Sequence, residues 1–264
     1  APGKRFGFFP SFSVGWRVTE EPFMKKIQEK WLTNLKLRYS YGEVGSDKGA
    51  PRFNYIQLFE SGGNVTFGKN QNVTYGPLYT EGKLAYQNAT WETAIKQNLG
   101  IEMTILRKLK LNLDLFDERR TGILMERNTV APWMGTGLPS VNIGETKNHG
   151  LELELGWNDK IGKDFSYFAK FNFATSENRI VYKDDPNRLD DYLKAAGKPI
   201  GYVRKYLVSG NLSSIDDIFN YTQSGIVNGS QDKLIPGDLA YMDYNGDGVI
   251  DAKDTAPVEH LNYP

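Results

Sequence analysis

The residues best equipped for chemistry lie in one stretch, Asp243-Tyr-Asn245-Gly-Asp247-Gly248-Val249-Ile250-Asp251-Ala-Lys-Asp254. Oxygen-bearing side chains stand at the first, third, fifth, ninth and twelfth places, with glycine at the sixth. That is the spacing of a calcium loop. Asp243, Asn245, Asp247, Asp251 and Asp254 would offer side-chain oxygens, and Val249 its carbonyl. Asp254 stands where a switching loop has a bidentate glutamate, and no clear helix pair flanks the stretch. The pattern therefore suits a static, dockerin-like loop holding a structural Ca2+ ion. Its plainer alternative is an Asp/Gly-rich turn without an ion.

Other chemistry finds less support. Glu152 and Glu154 share a strand face about 7 Å apart along the chain, near a glycosidase spacing. A pair of carboxylates on a wet wall explains them as well, and is the reading adopted. No Gly-x-Ser-x-Gly elbow occurs. The two histidines, His149 and His260, have no zinc-type partners nearby in sequence, and cysteine is absent. No catalytic residue is expected, and the chain is read as not an enzyme. Tyr55, Tyr75, Tyr79, Tyr86 and Trp133 fall in loop-like sequence. Exposed rings there could stack on sugars, dock a partner or pack the loops together. No substrate-binding residue is assigned.

The elements that carry these residues alternate with period two. Phe12, Val14, Trp16 and Val18 interleave with small or polar residues. So do Leu35, Leu37, Tyr39 and Tyr41, then Leu99, Ile101, Met103 and Ile105. Leu109 through Leu115, Leu151 through Trp157, and Phe165 through Phe173 continue the pattern. Six long strands are predicted in three pairs. A short helical turn is expected within 20–30, a tight turn at Arg107-Lys108 and another over 158–164. Long loops are expected over 46–90, with a small hairpin, and over 123–147. Beyond 182 no long strand is predicted, only short helices at 190–196 and 213–220.

Lys36, Arg38, Lys110, Asp114, Glu152, Glu154 and Lys170 share the polar faces, and unpaired charges of that kind do not face a packed core. Trp16, Trp31, Trp157 and Phe165 cluster at the short-turn end. Several strands are long enough to cross a bilayer at a tilt, at about ten residues, where soluble strands run to about 5–6. The pattern fits an all-β, antiparallel transmembrane β-barrel segment with short periplasmic turns and long extracellular loops. In 264 residues, 32 basic and 32 acidic residues balance, which gives no basic footprint for nucleic acid. No apolar run approaches the ~18 residues of a membrane helix, and no apolar core of a signal peptide follows Ala1-Pro-Gly-Lys-Arg5.

Several blocks resemble SusC/RagA-type TonB-dependent outer-membrane transporters. They are residues 4–18 (KRFGFFPSFSVGWRV), Phe23-Met-Lys25, Trp31-Leu32, 35–45 (LKLRYSYGEVG), 115–127 (LFDERRTGILMER), 142–154 (NIGETKNHGLELE) and 236–251 (PGDLAYMDYNGDGVID). They occur in the family's order and span most of the chain. The resemblance implies a larger barrel, of which this is a C-terminal part, in the outer membrane of a Gram-negative bacterium. It implies import of oligosaccharides or peptides, energy through TonB and a plug, a SusD-type surface lipoprotein as lid, and lipid around the wall. Residues 1–182 would then be wall and loops, and 183–264 a long extracellular loop carrying the calcium-type stretch. From Thr255 to Asn262 the sequence departs from the family's usual Arg and Ile-Gly-Asn turn. A segment of six strands has two open edges, which lipid does not tolerate, so the segment is expected to function beside the rest of its barrel. The rival reading is a secreted β-sandwich adhesin or carbohydrate-binding module with a calcium-stabilised loop. It places the same apolar faces against a second sheet.

Overall fold

The computed structural model describes residues 2–28, 31–51, 53–68, 73–127, 129, 137–186, 189–221, 223–224 and 234–258. The chain divides into two units, Ala1–Asp184 and Asp185–Pro264.

Alternating apolar and polar residues extend because a pleated strand separates them onto opposite faces. The first unit places β1 (Ser11–Arg17) before a 3-10 turn and α1 (Lys25–Gln28). β2 (Leu32–Ser46) follows. β3 (Phe59–Phe67) and β4 (Val73–Glu81) form a separate antiparallel hairpin inside the first long excursion. Next come β5 (Glu92–Ile105), β6 (Leu109–Met125), β7 (Val141–Ile161) and β8 (Phe165–Tyr182). One six-stranded sheet runs β1-β2-β5-β6-β7-β8, every neighbour antiparallel. Among the described strands, β1 and β8 have a neighbour on one side only.

No second sheet covers the apolar face among the described residues. Leu99 is 44% exposed, Phe171 55% and Phe173 48%, so that face lies open along the sheet. Among the described residues of this unit, the buried hydrophobic core is only Val18, Leu32 and Ala94. A sandwich would bury one whole face in its core, and that rival fails here.

Two differences from the sequence pattern have local causes. β6 and β7 run on into 123–147, where a loop is expected, pairing through Ile123↔Gly144, Leu124↔Asn142 and Met125↔Val141. The ladder shifts register between Arg120 and Ile123, around Gly122 at φ +67°. A bulge of this kind breaks strict alternation without ending the strand. The helix expected over 190–196 is a series of turns. The Asp185 carboxylate accepts the N–H groups of Ala195 and Ala196 at 2.9 and 3.0 Å, donors that a helix would need for itself.

The second unit is built of short pieces. β9 (Val203–Tyr206) pairs antiparallel with a late strand, and β10 (Val208–Asn211) precedes α2 (Ile215–Asn220). Ser214 caps α2 in a reciprocal box with Asp217, as the sequence suggests. β11 (Gln223–Ser224) lies parallel to β13 (Val249–Ile250), and β12 (Leu239–Tyr241) pairs with β10. β14 (Thr255–Val258) is the partner of β9. A small core of Leu212, Leu234 and Ala240 is flanked by Ile218 and Tyr221.

Candidate functional site

The wall is the first candidate. Register aligns its apolar residues into rows that cross the whole sheet. Trp16, Leu37, Ile101, Leu113, Leu153 and Phe173 stand side by side in six successive strands. The rows on either side repeat this with Tyr39, Leu99, Leu115 and Leu151, and with Leu35, Met103, Leu111, Leu155 and Phe171. On β7 the row residues are bracketed by His149 and Asp159, about ten positions apart. At ~3.3 Å per residue and a ~40° tilt that span is about 25 Å high, the height of a membrane barrel's apolar band.

Aromatic rings mark both borders of the band. Trp157 and the stacked pair Phe165 and Tyr167 lie at the short-turn end. Phe12 stacks on Tyr41 at the long-loop end, with centroids 5.6 Å apart. The Tyr39 hydroxyl donates to Gln97 and that of Tyr41 to Glu43, at 2.8 and 2.9 Å. Such rings keep an apolar body in the band and a polar tip outside it. The sequence shows only the short-turn cluster. Phe12, Tyr39 and Tyr41 gain their place from the register.

The opposite face is charged and internally paired. Arg38 grips Asp114 through two bonds of 2.9 Å and reaches Glu102 at 2.8 Å, while Lys36 lies 3.3 Å from Glu102. Higher up, Arg120 bridges Glu92 at 2.6 Å and Glu118 at 2.8 Å. Glu152 and Glu154 share this face, opposite Asp114 and Asn112, and the Asn112 amide approaches Glu154 at 3.5 Å. They form part of a polar wall. His149 is exposed on the apolar side's upper border, 4.0 Å from Glu177. Tyr75 and Tyr79 are exposed on the β3–β4 hairpin, where Tyr75 meets Phe67 edge-on. Trp133 and His260 lie outside the described residues.

The second candidate is the acidic loop. Gly246 and Gly248 take φ of +73° and +85°, left-handed conformations that glycine adopts without strain. Asp243 accepts the N–H groups of Gly246 and Gly248, each at 2.8 Å. Asn245 accepts from Asp247, Asp247 from Val249, and Asp251 from Lys253. Asp254 is fully buried and accepts from Tyr244, Asn245 and Asp251. The Val249 N–H, then the Asn245 amide and Lys253, hold the Asp247 carboxyl below its ordinary range. All six expected ligands therefore lie on one curled loop. The side-chain oxygens of Asp243, Asn245, Asp247, Asp251 and Asp254 face backbone donors, however, and Lys253 sits 3.6 and 3.8 Å from Asp247 and Asp251. Among the described residues no group of three or more acidic or histidine side chains is set to hold a metal. The donor types fit a hard cation, and the Asp243, Asp247 and Asp251 oxygens that accept one N–H each keep a lone pair for it, whereas one oxygen of Asp254 already accepts two. The Lys253 ammonium occupies part of that field.

Comparison with known proteins places this wall among relatives. Residues 2–257 match the family model described as TonB dependent receptor-like, beta-barrel. The TonB-dependent receptor P39 of Formosa agariphila is 27% identical over 279 residues, covering 94% of this chain and 26% of that protein. The TonB-dependent receptor SusC of Bacteroides thetaiotaomicron is 26% identical, covering 95% and 24%. The chain thus spans about a quarter of the curated relatives it matches. Among solved structures, the RagAB peptide importer in its closed-closed state superposes with a TM-score of 0.64 at 16% identity, over 98% of this chain and 26% of that one. Its open-open state gives 0.61 at 18% identity, over 79% and 23%.

Proposed function

The chain belongs to the TonB-dependent receptor β-barrel family, and from that membership we propose that it forms part of the wall of a transporter importing oligosaccharides or peptides. The family is one of outer-membrane receptors and transporters, not enzymes. The observation that carries the reading is the set of apolar rows about one bilayer high, backed by a charged face that suits a wet lumen. In this proposal the long connections face outward, a SusD-type lipoprotein rests on them, and energy comes through TonB from the rest of the protein. A strain lacking the gene should lose growth on one class of glycan or peptide as sole nutrient, and loss of TonB should copy that defect. Undiminished growth of the deletion strain on every glycan and peptide offered would remove the reading.

We propose further that the Asp243–Asp254 loop takes a structural Ca2+, displacing the Lys253 ammonium from Asp247 and Asp251. Such an ion would stiffen the loop rather than switch it. Calorimetric titration of the whole transporter should register one site that Asp243→Asn weakens. Absence of any calcium uptake would leave the loop held by its backbone hydrogen bonds alone.

A further inference from the structure

Cations on the apolar face of the sheet fall into one cross-strand row. Arg119 on β6 stands opposite Lys147 on β7, which stands opposite Arg179 on β8. Two strand spacings of ~4.8 Å set the row about 10 Å long. The other cations of the described sheet strands, from Arg17 and Lys36 to Lys160 and Lys170, alternate onto the charged face. Arg119 lies six residues beyond Leu113 of the central apolar row, toward the long connections. At ~3.3 Å per residue and a ~40° tilt that is about 15 Å, half of a hydrocarbon core of about 30 Å. The row therefore sits where lipid chains give way to headgroups.

Carboxylates orient the three heads without covering them. The Arg119 Nε donates to Glu145 at 2.6 Å, the Arg179 Nε to Glu177 at 2.8 Å, and the Lys147 ammonium lies 3.6 Å from Asp117. Asp117 and Glu177 stand one row nearer the band. All three basic side chains remain about half exposed.

We propose that this row is a docking site for the phosphate groups of an outer-leaflet lipid headgroup. The proposal rests on the membrane-wall reading above. Phosphate oxygens take paired N–H bonds from arginine and a point charge from lysine. A row about 10 Å long exceeds one phosphate, and a headgroup carrying two matches it better. The neighbouring carboxylates balance the charge of the row, so phosphate free in water gains little there. A lipid instead lays its chains on the apolar rows and delivers its phosphates at the right depth, at high effective concentration.

The test uses the whole transporter in detergent, with bound lipid counted by native mass spectrometry. The probes are lipid A carrying two phosphates, the same lipid stripped of phosphate, and inorganic phosphate. Diphosphoryl lipid A should bind, the stripped lipid should bind at least about tenfold more weakly, and excess inorganic phosphate should not displace the bound lipid. The triple change Arg119→Gln, Lys147→Gln, Arg179→Gln should cost about tenfold or more, the worth of one charge-assisted hydrogen bond. That variant strands Asp117, Glu145 and Glu177, so Lys147→Gln is measured beside it. Its ion pair is the longest of the three, and a loss of about threefold is expected, roughly half that free energy. The control Lys110→Gln, Lys170→Gln removes two cations that flank Gly156 on the opposite face, and should leave binding unchanged. Equal binding of the stripped lipid would overturn the proposal, since the chains alone would then hold it. Displacement by inorganic phosphate would do the same, making the row a site for soluble anions. So would unchanged affinity in either row variant, or an equal loss in the control. None of these outcomes touches nutrient import, which growth of the deletion strain tests on its own.

Discussion

Asp254 shows how much one side chain can organise. It is fully buried, and its two oxygens accept three backbone N–H groups, from Tyr244 at 2.8 Å, Asn245 at 3.2 Å and Asp251 at 2.7 Å. Those donors lie at both ends of the curl, so the carboxylate ties the loop shut. Asp254→Ala strands three donors, each worth about 1 kcal/mol or more when left unpaired. We expect a local loss of about 3 kcal/mol, read as faster hydrogen exchange over 243–254 in the whole transporter, with Asp254→Asn intermediate. Unchanged protection would mean that another group closes the loop. The spacing of oxygen-bearing residues was legible in the sequence, and it named every residue of the curl. What was not legible was the target of each oxygen. Hydrogen bonds to specific backbone donors depend on the path of the loop, and the spacing is the same whether Asp254 faces an ion or an amide.

At the scale of elements, alternation was readable because the sheet has one apolar and one polar face with no core between layers to blur them. Phe165 through Phe173 and Leu109 through Leu115 declare their strands for that reason. Register was not readable, and so neither was the Phe116–Gly150 pairing, in which the ring lies across a glycine. The bulge at Gly122 hid the upper parts of β6 and β7. The turn joining β5 to β6 offers a test at this scale. Leu106 and Arg107 hold φ of +51° and +60°, and the Lys108 N–H donates to the Ile105 carbonyl at 3.0 Å. Positive φ at both central residues matches the tight hairpin turn that favours Asn-Gly. A non-glycine residue there costs about 1–2 kcal/mol. Leu106 is 54% exposed, so replacing it sacrifices little burial. The double change Leu106→Asn, Arg107→Gly should stabilise the transporter by about 1–2 kcal/mol against guanidinium, through slower unfolding. A destabilised double variant would show that the Leu106 side chain does more at the membrane border than its exposure implies.

For the whole molecule, the decisive question is which face of the wall meets lipid. Leu113 lies in the central apolar row, between Ile101 and Leu153, and the neighbouring Asn112 points to the charged face between Glu102 and Glu154. The two residues share a strand, a depth and nearly the same exposure to any change in backbone. They differ only in the face they present. Arginine at the bilayer midplane on a lipid face costs about 2–4 kcal/mol, while lumen positions tolerate charge. Leu113→Arg should therefore lower the folding free energy of the transporter in lipid vesicles by that amount. Asn112→Arg should change it by less than about 0.5 kcal/mol, the scale of a surface substitution, since Glu102 and Glu154 stand on either side to receive the charge. In detergent, whose headgroups approach the band more freely, the Leu113→Arg penalty should shrink. Equal penalties for the two variants in vesicles would place both faces in similar surroundings. A larger penalty for Asn112→Arg would turn the wall inside out and take the proposed lumen along with it.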